Sequence, residues 1–211
     1  GSARTVRTMQ ARYTIESQQW QTQEFSDDLN ANELLALGLS AVNLGDLELA
    51  GQAAAKLAEM SADSPDSTSL SVSHTEVAAL IKLKEAEKQL ANGMSSAGME
   101  SQQQALALLA EAVLLSEQGR LPNGAANPLK PVHELSGEAL LAADQADKAA
   151  TLFEQSLQRT PNRPWSLLGA ARSYAKMDDT AKAREMYGAL LAVWSDDSHS
   201  AVQEAKRYLG Y

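Results

Sequence analysis

The residues of this chain that could do chemistry are few, and their spacing does not assemble a reaction centre. His133-Glu134 opens like the helical zinc motif in which two histidines four residues apart hold the metal and the glutamate acts as base, but Gly137 occupies the place of the second histidine. The other two histidines, His74 and His199, are distant in sequence, so no metal site is expected and His133 reads as a packing residue rather than a ligand acting with Glu138. Serines are plentiful, yet none sits in a nucleophile-elbow sequence, and glycine-rich phosphate loops are absent. The carboxylate pairs Asp27-Asp28, Asp178-Asp179 and Asp196-Asp197 each stand before a helical stretch, where they cap backbone N–H groups and complement the helix dipole without catalysis. There is no cysteine, which removes disulfides, thiolate nucleophiles and cysteine-based zinc sites. The chain therefore reads as non-enzymatic, with no catalytic residue, metal ligand or cofactor assigned. A second reading, from another class, makes it one wall of a metal- or small-molecule-binding site in a longer enzyme or binding protein, with His133 and Glu138 as the residues to test.

Charge narrows the partners. Twenty-seven acidic residues against eighteen basic ones leave a net charge of −9, and no basic run offsets a field that repels a phosphate backbone; nucleic acid is not an expected partner. Apolar runs are interrupted every few residues by a charge or an amide, so membrane insertion is not expected either. Alanine-rich segments with only 5% aromatics suit close helix packing better than a sheet.

The elements that would position any site repeat. From Pro131 to Tyr208 the chain can be laid on itself with an offset of thirty-four residues: Gly137 falls on Ala171, Leu140 on Tyr174 and Tyr208, Ala149 on Ala183, and Phe153 on Tyr187. Each unit reads as two amphipathic helices, small residues marking close approach and bulky ones filling the space between. Residues 130–163 and 164–197 form two such repeats, and 198–211 form a final helix, capped by Ser198 or Ser200, that closes the array. Upstream, 30–64 fits the same template, with Gly38 and Ala50 at the small positions, Asn30 or Asn32 as a cap and a turn at Gly45-Asp46. Residues 65–129 read as an expanded pair: a loop over Ser61–Ser73, a stripe through Val77, Leu80 and Ile81, a long connection from Gly93 to Gly98 and a second helix from about Glu100. Residues 1–29 contain a helix to about Ser17, with Val6, Met9, Tyr13 and Ile15 as its apolar stripe, and a short second helix near Trp20 and Phe25. The proline- and glycine-rich stretch Gly119–Pro131 is a loop, either a spacer or a segment folded over a groove.

The small residues, the aromatic at Phe153 and the closing Pro161 resemble the tetratricopeptide repeat pattern, with His133 where that family often has Trp and Ser195 replacing the closing proline of the next unit. The resemblance implies an all-α, right-handed α-solenoid of antiparallel helix pairs with a C-terminal capping helix, acting as a protein-interaction scaffold. A narrower likeness, carried by Ala11–Glu16, Trp20, the run His133–Glu138 and Pro161-Asn162-Arg163, is to the C-terminal part of larger bacterial tetratricopeptide proteins, which are commonly exported and without an assigned function. It implies a soluble chain that is the tail of a longer solenoid, with export to the periplasm as the location the resemblance suggests. Gly1-Ser2 reads as a cleavage scar, and an apolar N-terminal edge could drive self-association.

In that family the first helix of each repeat lines a concave groove. Carried onto this chain, the groove places Glu134 and Glu138 opposite Arg172, with Trp165, Leu168, Lys176 and Lys206 beside them, and implies a peptide, helix or subunit as ligand. The lysine and asparagine places of a chaperone-tail carboxylate clamp are instead Glu134, Glu138, Leu35 and Leu39, so that partner is not implied.

Overall fold

A computed structural model describes residues 2–119 and 129–211, which form ten helices with no strand among them. They fall into two compact units, residues 2–119 with 129–132, and residues 133–211. Most of the stretch expected to be a loop before Pro131 lies outside the described residues.

The first unit contains α1 (Ser2–Ser17), α2 (Ala31–Leu44), α3 (Leu47–Asp63), α4 (Thr68–Ala91) and α5 (Ser95–Glu117). Helix α2 is its axis. Asn30 begins it with a reciprocal capping box: its side chain accepts the Glu33 N–H at 3.0 Å while Glu33 accepts the Asn30 N–H at 2.8 Å. Gly45 ends it in the left-handed conformation, φ 85°. Between those caps Leu34, Leu35, Leu37 and Leu39 are all buried, because α2 is flanked by α1, α3 and α4. Gly38 makes the α2–α4 approach possible, since a Cβ there would lie 2.7 Å from the Val77 methyls.

Three expectations change here. No helix forms near Trp20 and Phe25; Gln18 turns the chain with φ 55°, and both aromatics pack against the core from a non-helical segment. The supposed Ser61–Ser73 loop shrinks to residues 64–67, because the polar run from Thr68 is the first turn of α4 rather than a linker. The Gly93–Gly98 connection is likewise short: α5 starts at Ser95, and the expansion of this pair resides in helices of 24 and 23 residues. On α1 the buried residues are Ala11 and Ile15, whereas Val6, Met9 and Tyr13 face outward.

The second unit contains α6 (Val132–Ala142), α7 (Ala146–Arg159), α8 (Pro164–Lys176), α9 (Thr180–Val193) and α10 (Ser200–Leu209). Its repeat is physical. Asp144 and Asp178, thirty-four apart, both adopt positive φ (65° and 58°) in the turn between paired helices. Phe153 and Tyr187 are both buried, each in a cluster drawn from its own helix pair and the element that follows it: Ala149, Ala150, Ala170 and Ala183 around Phe153, and Leu167, Leu168, Ala201 and Ala205 around Tyr187. Tyr208 on α10 then stacks on Tyr187, ring centroids 4.7 Å apart, closing the second unit. His199 caps α10, its Nδ1 accepting the Ala201 N–H at 3.1 Å, in place of the serines expected on either side.

Candidate functional site

The first helices of the second unit, α6, α8 and α10, carry the side chains named from the repeat pattern. Three cross-repeat contacts share one offset, thirty-two residues: Glu134 with Ser166, Asp144 with Lys176, and Arg172 with Glu204. That common spacing is two residues short of the repeat length, because a side chain reaching to the next repeat meets a residue about half a turn earlier than its own counterpart.

Two of the contacts lie at the surface. The Arg172 Nε donates to both oxygens of Glu204, at 3.0 and 3.2 Å, with Arg172 half exposed. Lys176 meets Asp144 at 2.6 Å, and Lys206 meets Asp197 at 2.6 Å in the turn before α10. The hydrogen bond and charge of Lys176 hold the Asp144 carboxyl below the usual carboxylate range. The result is three cations on α8 and α10, each paired with a carboxylate from a neighbouring helix or turn.

Glu134 belongs to the interior instead. It is fully buried and accepts the Arg163 Nε at 2.7 Å and the Ser166 hydroxyl at 2.5 Å, and Ser166 in turn shares a 2.8 Å hydrogen bond with Ser156. This network ties α6, α7 and α8 together, so the acidic start expected of the groove reduces to the half-buried Glu138. The expected pairing of Glu134 with Arg172 does not form, since each has another partner.

Leu168, expected on the groove, is 1% exposed and sits in the core with Leu167, Tyr187, Leu190, Ala201 and Ala205; the α9–α10 pair covers that side of α8. Trp165 is half-buried, edge-on to Trp194 at 5.3 Å and to His199 at 5.7 Å, with Trp194 and His199 themselves 4.0 Å apart. Its ring is one face of an aromatic cluster rather than an isolated anchor. The histidines have separate structural roles: His133 is buried, His199 caps α10, and the His74 ring on α4 hydrogen-bonds the Ala54 carbonyl on α3 at 3.0 Å. Among the described residues no three His, Asp or Glu side chains converge in an arrangement that could hold a metal.

Repeat reasoning missed two parts of this region. Gly169 was hidden in a run of small residues, yet a Cβ there would lie 2.2 Å from the Phe153 ring, so it sets the closeness of α7 to α8. The Tyr174–Glu154 hydrogen bond joins α8 to α7, and burial followed by that carboxylate pushes the Tyr174 hydroxyl well above its ordinary value. Its signal was present only as an aromatic in the repeat.

A stack of antiparallel helix pairs with a fixed repeat, closed by a single helix, defines the class of the second unit: a helical-repeat scaffold for protein interaction. Residues 140–207 match the family model of the tetratricopeptide repeat. Among solved structures the chain resembles TTC0263, a thermophilic tetratricopeptide protein of Thermus thermophilus, with a TM-score of 0.64 and 17% identity over 97% of this chain and 89% of that one. Two structures of MamA follow, one of a mutant at TM-score 0.45 and 20% identity over 91% of each chain. The other, MamA AMB-1, has TM-score 0.40 and 18% identity over 99% of this chain and 93% of that one. No curated protein shows significant sequence similarity to this chain. Among the described residues no helix is long and apolar enough to cross a membrane.

Proposed function

We propose that the protein is a non-enzymatic interaction module whose α8–α10 face binds an extended peptide, a helix or a subunit of another protein. The observation that carries this reading is the set of three cations Arg172, Lys176 and Lys206, paired at the surface with Glu204, Asp144 and Asp197. Exposed pairs of this kind contribute only about 0–1 kcal/mol each, so a ligand carboxylate can displace the internal one at small cost. The pairs keep the cations extended and in register, which lowers the ordering cost of binding. Half-buried Trp165 on α8 and Glu138 on α6 stand on the same set of first helices as apolar and acidic complements.

The test compares partners captured by the wild-type chain with their affinity for an Arg172→Glu, Lys176→Glu double variant of equal thermal stability. A loss of affinity of about tenfold or more, roughly 1.4 kcal/mol, supports the reading. Unchanged affinity removes this face from the mechanism.

The same reading includes a second contact, with another copy of the chain. Val6, Met9 and Tyr13 form an exposed apolar face on α1, of the kind that another helix covers.

A further inference from the structure

We propose that the segment Gln18–Asp28 is a displaceable strap. It fills a peptide seat on the first unit and yields it to an extended segment of a partner protein that carries two aromatics at the spacing of Trp20 and Phe25. This seat is separate from the α8–α10 face and does not depend on it.

The structure itself shows what covers the seat. Between α1 and α2 the chain turns at Gln18, φ 55°, and continues to Ser26 without helix or strand. Trp20 and Phe25 are half-buried against the core cluster that holds Leu34 and Leu37 of α2 and Ala53 and Leu57 of α3. Gln21, Thr22, Gln23 and Glu24 between them are exposed. Thr22 and Gln23 border two cavities, one of about 520 Å³ with Met9 and Leu37, the other of about 720 Å³ with Leu49 and Gln52. The strap is therefore fastened at two aromatic points, with unfilled space along its middle.

Little else holds it. Among the described residues, Gln19–Phe25 make no backbone hydrogen bond to a helix of the core; the Gln19 N–H reaches the Ser17 hydroxyl at 3.2 Å, and its side chain accepts the Tyr13 hydroxyl at 3.2 Å. Beyond Phe25, Asp27 lies 3.8 Å from Lys56 and Asp28 3.9 Å from Arg7, with the two carboxylates 85% and 75% exposed, so these pairs add little. Helices α2 and α3 keep their own caps, Asn30 with Glu33 and Asp46 with Leu49, whether or not the strap is seated. Adhesion through two aromatics, without a backbone ladder, is how a short peptide is held on a surface.

Tethering selects the occupant. A segment on a short linker faces its seat at an effective concentration of about millimolar. A second copy offering the identical segment must reach that concentration to exchange, so at micromolar protein the strap stays with its own chain. A different protein succeeds when its segment places bulkier side chains between the two aromatics, where the flanking space accepts them, and its apparent affinity is reduced by the fraction of chains whose seat is closed.

The test uses a fluorescent peptide of residues Gln18–Asp28 added to the whole chain and to a Trp20→Ser, Phe25→Ser double variant of unchanged helix content. Anisotropy should show the peptide binding the variant at least about tenfold more tightly than the wild type, whose own strap competes. Unlabelled wild-type chain should displace the peptide from the variant far less well than unlabelled peptide does. A variant that binds no better than wild type overturns the seat. Displacement by wild-type chain as effective as by free peptide makes a second copy the occupant and overturns the autoinhibitory contact. Cleavage of the wild type after Glu24 by a glutamate-specific protease, followed in urea below the unfolding transition, gives a measurement that needs no variant and decides the matter where the double variant loses helix. Its rate should depend weakly on urea, as local opening does; a rate that climbs in step with global unfolding overturns the strap as a displaceable element.

Discussion

Arg172 on α8 and Glu204 on α10 meet through one guanidinium N–H shared between both carboxylate oxygens, at 3.0 and 3.2 Å. The pair spans a repeat boundary, and its carboxylate also lies beside the buried Tyr187 hydroxyl. The surface pair with Arg172 and the packing of the capping helix thus share one side chain, Glu204.

Because Arg172 and Glu204 are 49% and 31% exposed, Arg172→Ala should cost no more than about 1 kcal/mol of stability. Urea unfolding of the single variants and of the Arg172→Ala, Glu204→Ala double variant measures their coupling. A coupling above about 1 kcal/mol would make the pair a structural brace and weaken its role as a displaceable contact.

Glu134 should behave in the opposite way. Removing its carboxylate leaves Arg163, whose side chain is 12% exposed, without its 2.7 Å partner, and takes an acceptor from Ser166. Breaking a buried pair from one side costs about 3–5 kcal/mol, so Glu134→Ala should lower the urea midpoint far more than Arg172→Ala. A Glu134→Ala variant as stable as wild type would return Glu134 to the groove as a residue free to bind.

Gly169 carries a packing prediction. Alanine normally favours a helix over glycine by about 1 kcal/mol, but a Cβ 2.2 Å from the Phe153 ring forces α7 and α8 apart. Overpacking of this kind costs about 1–3 kcal/mol, so Gly169→Ala should destabilise the chain. In a Phe153→Leu background the same substitution should cost less or become neutral. Equal costs in both backgrounds, read from thermal melts, would show that the ring is not what the glycine accommodates.

The parts of this architecture that were legible in the sequence are those governed by side-chain volume. Phe153 and Tyr187, and Leu140, Tyr174 and Tyr208, recur at thirty-four residues because each fills the same gap in successive helix pairs. Partner choice was less legible. A carboxylate such as Glu134 at a concave-face position is compatible with solvent or with Arg163, and the choice depends on where Pro164 starts α8 and aims the preceding residue. On α1 the stripe Val6, Met9 and Tyr13 has proper helical spacing, yet Ala11 and Ile15 are the residues buried. Periodicity identifies a face; it does not say whether a helix of the same chain covers it. The start of α4 was missed because Thr68, Ser69 and Ser71 are as common in helix first turns as in loops.

The tyrosines of the second unit make its stability sensitive to alkali. Burial, then the Glu204 carboxylate, push the Tyr187 hydroxyl up to about 12 against the opposing pull of Arg172, and burial with Glu154 raises Tyr174 further. In the unfolded chain both lose their protons near pH 10. Above that pH the folded state still holds protons that the unfolded state has released, so stability falls as pH rises. The contribution is fully present below pH 10 and is lost progressively toward pH 12. Urea midpoints for the wild type and a Tyr187→Phe variant, compared across this window, subtract the lysine titrations common to both. The variant should lose less stability between pH 10 and pH 12, and the tyrosinate absorbance of the folded wild type should rise later than that of the protein in urea. Parallel pH curves for the two proteins would mean that the Tyr187 hydroxyl ionises as readily when folded as when unfolded, and that α10 does not seal it from water.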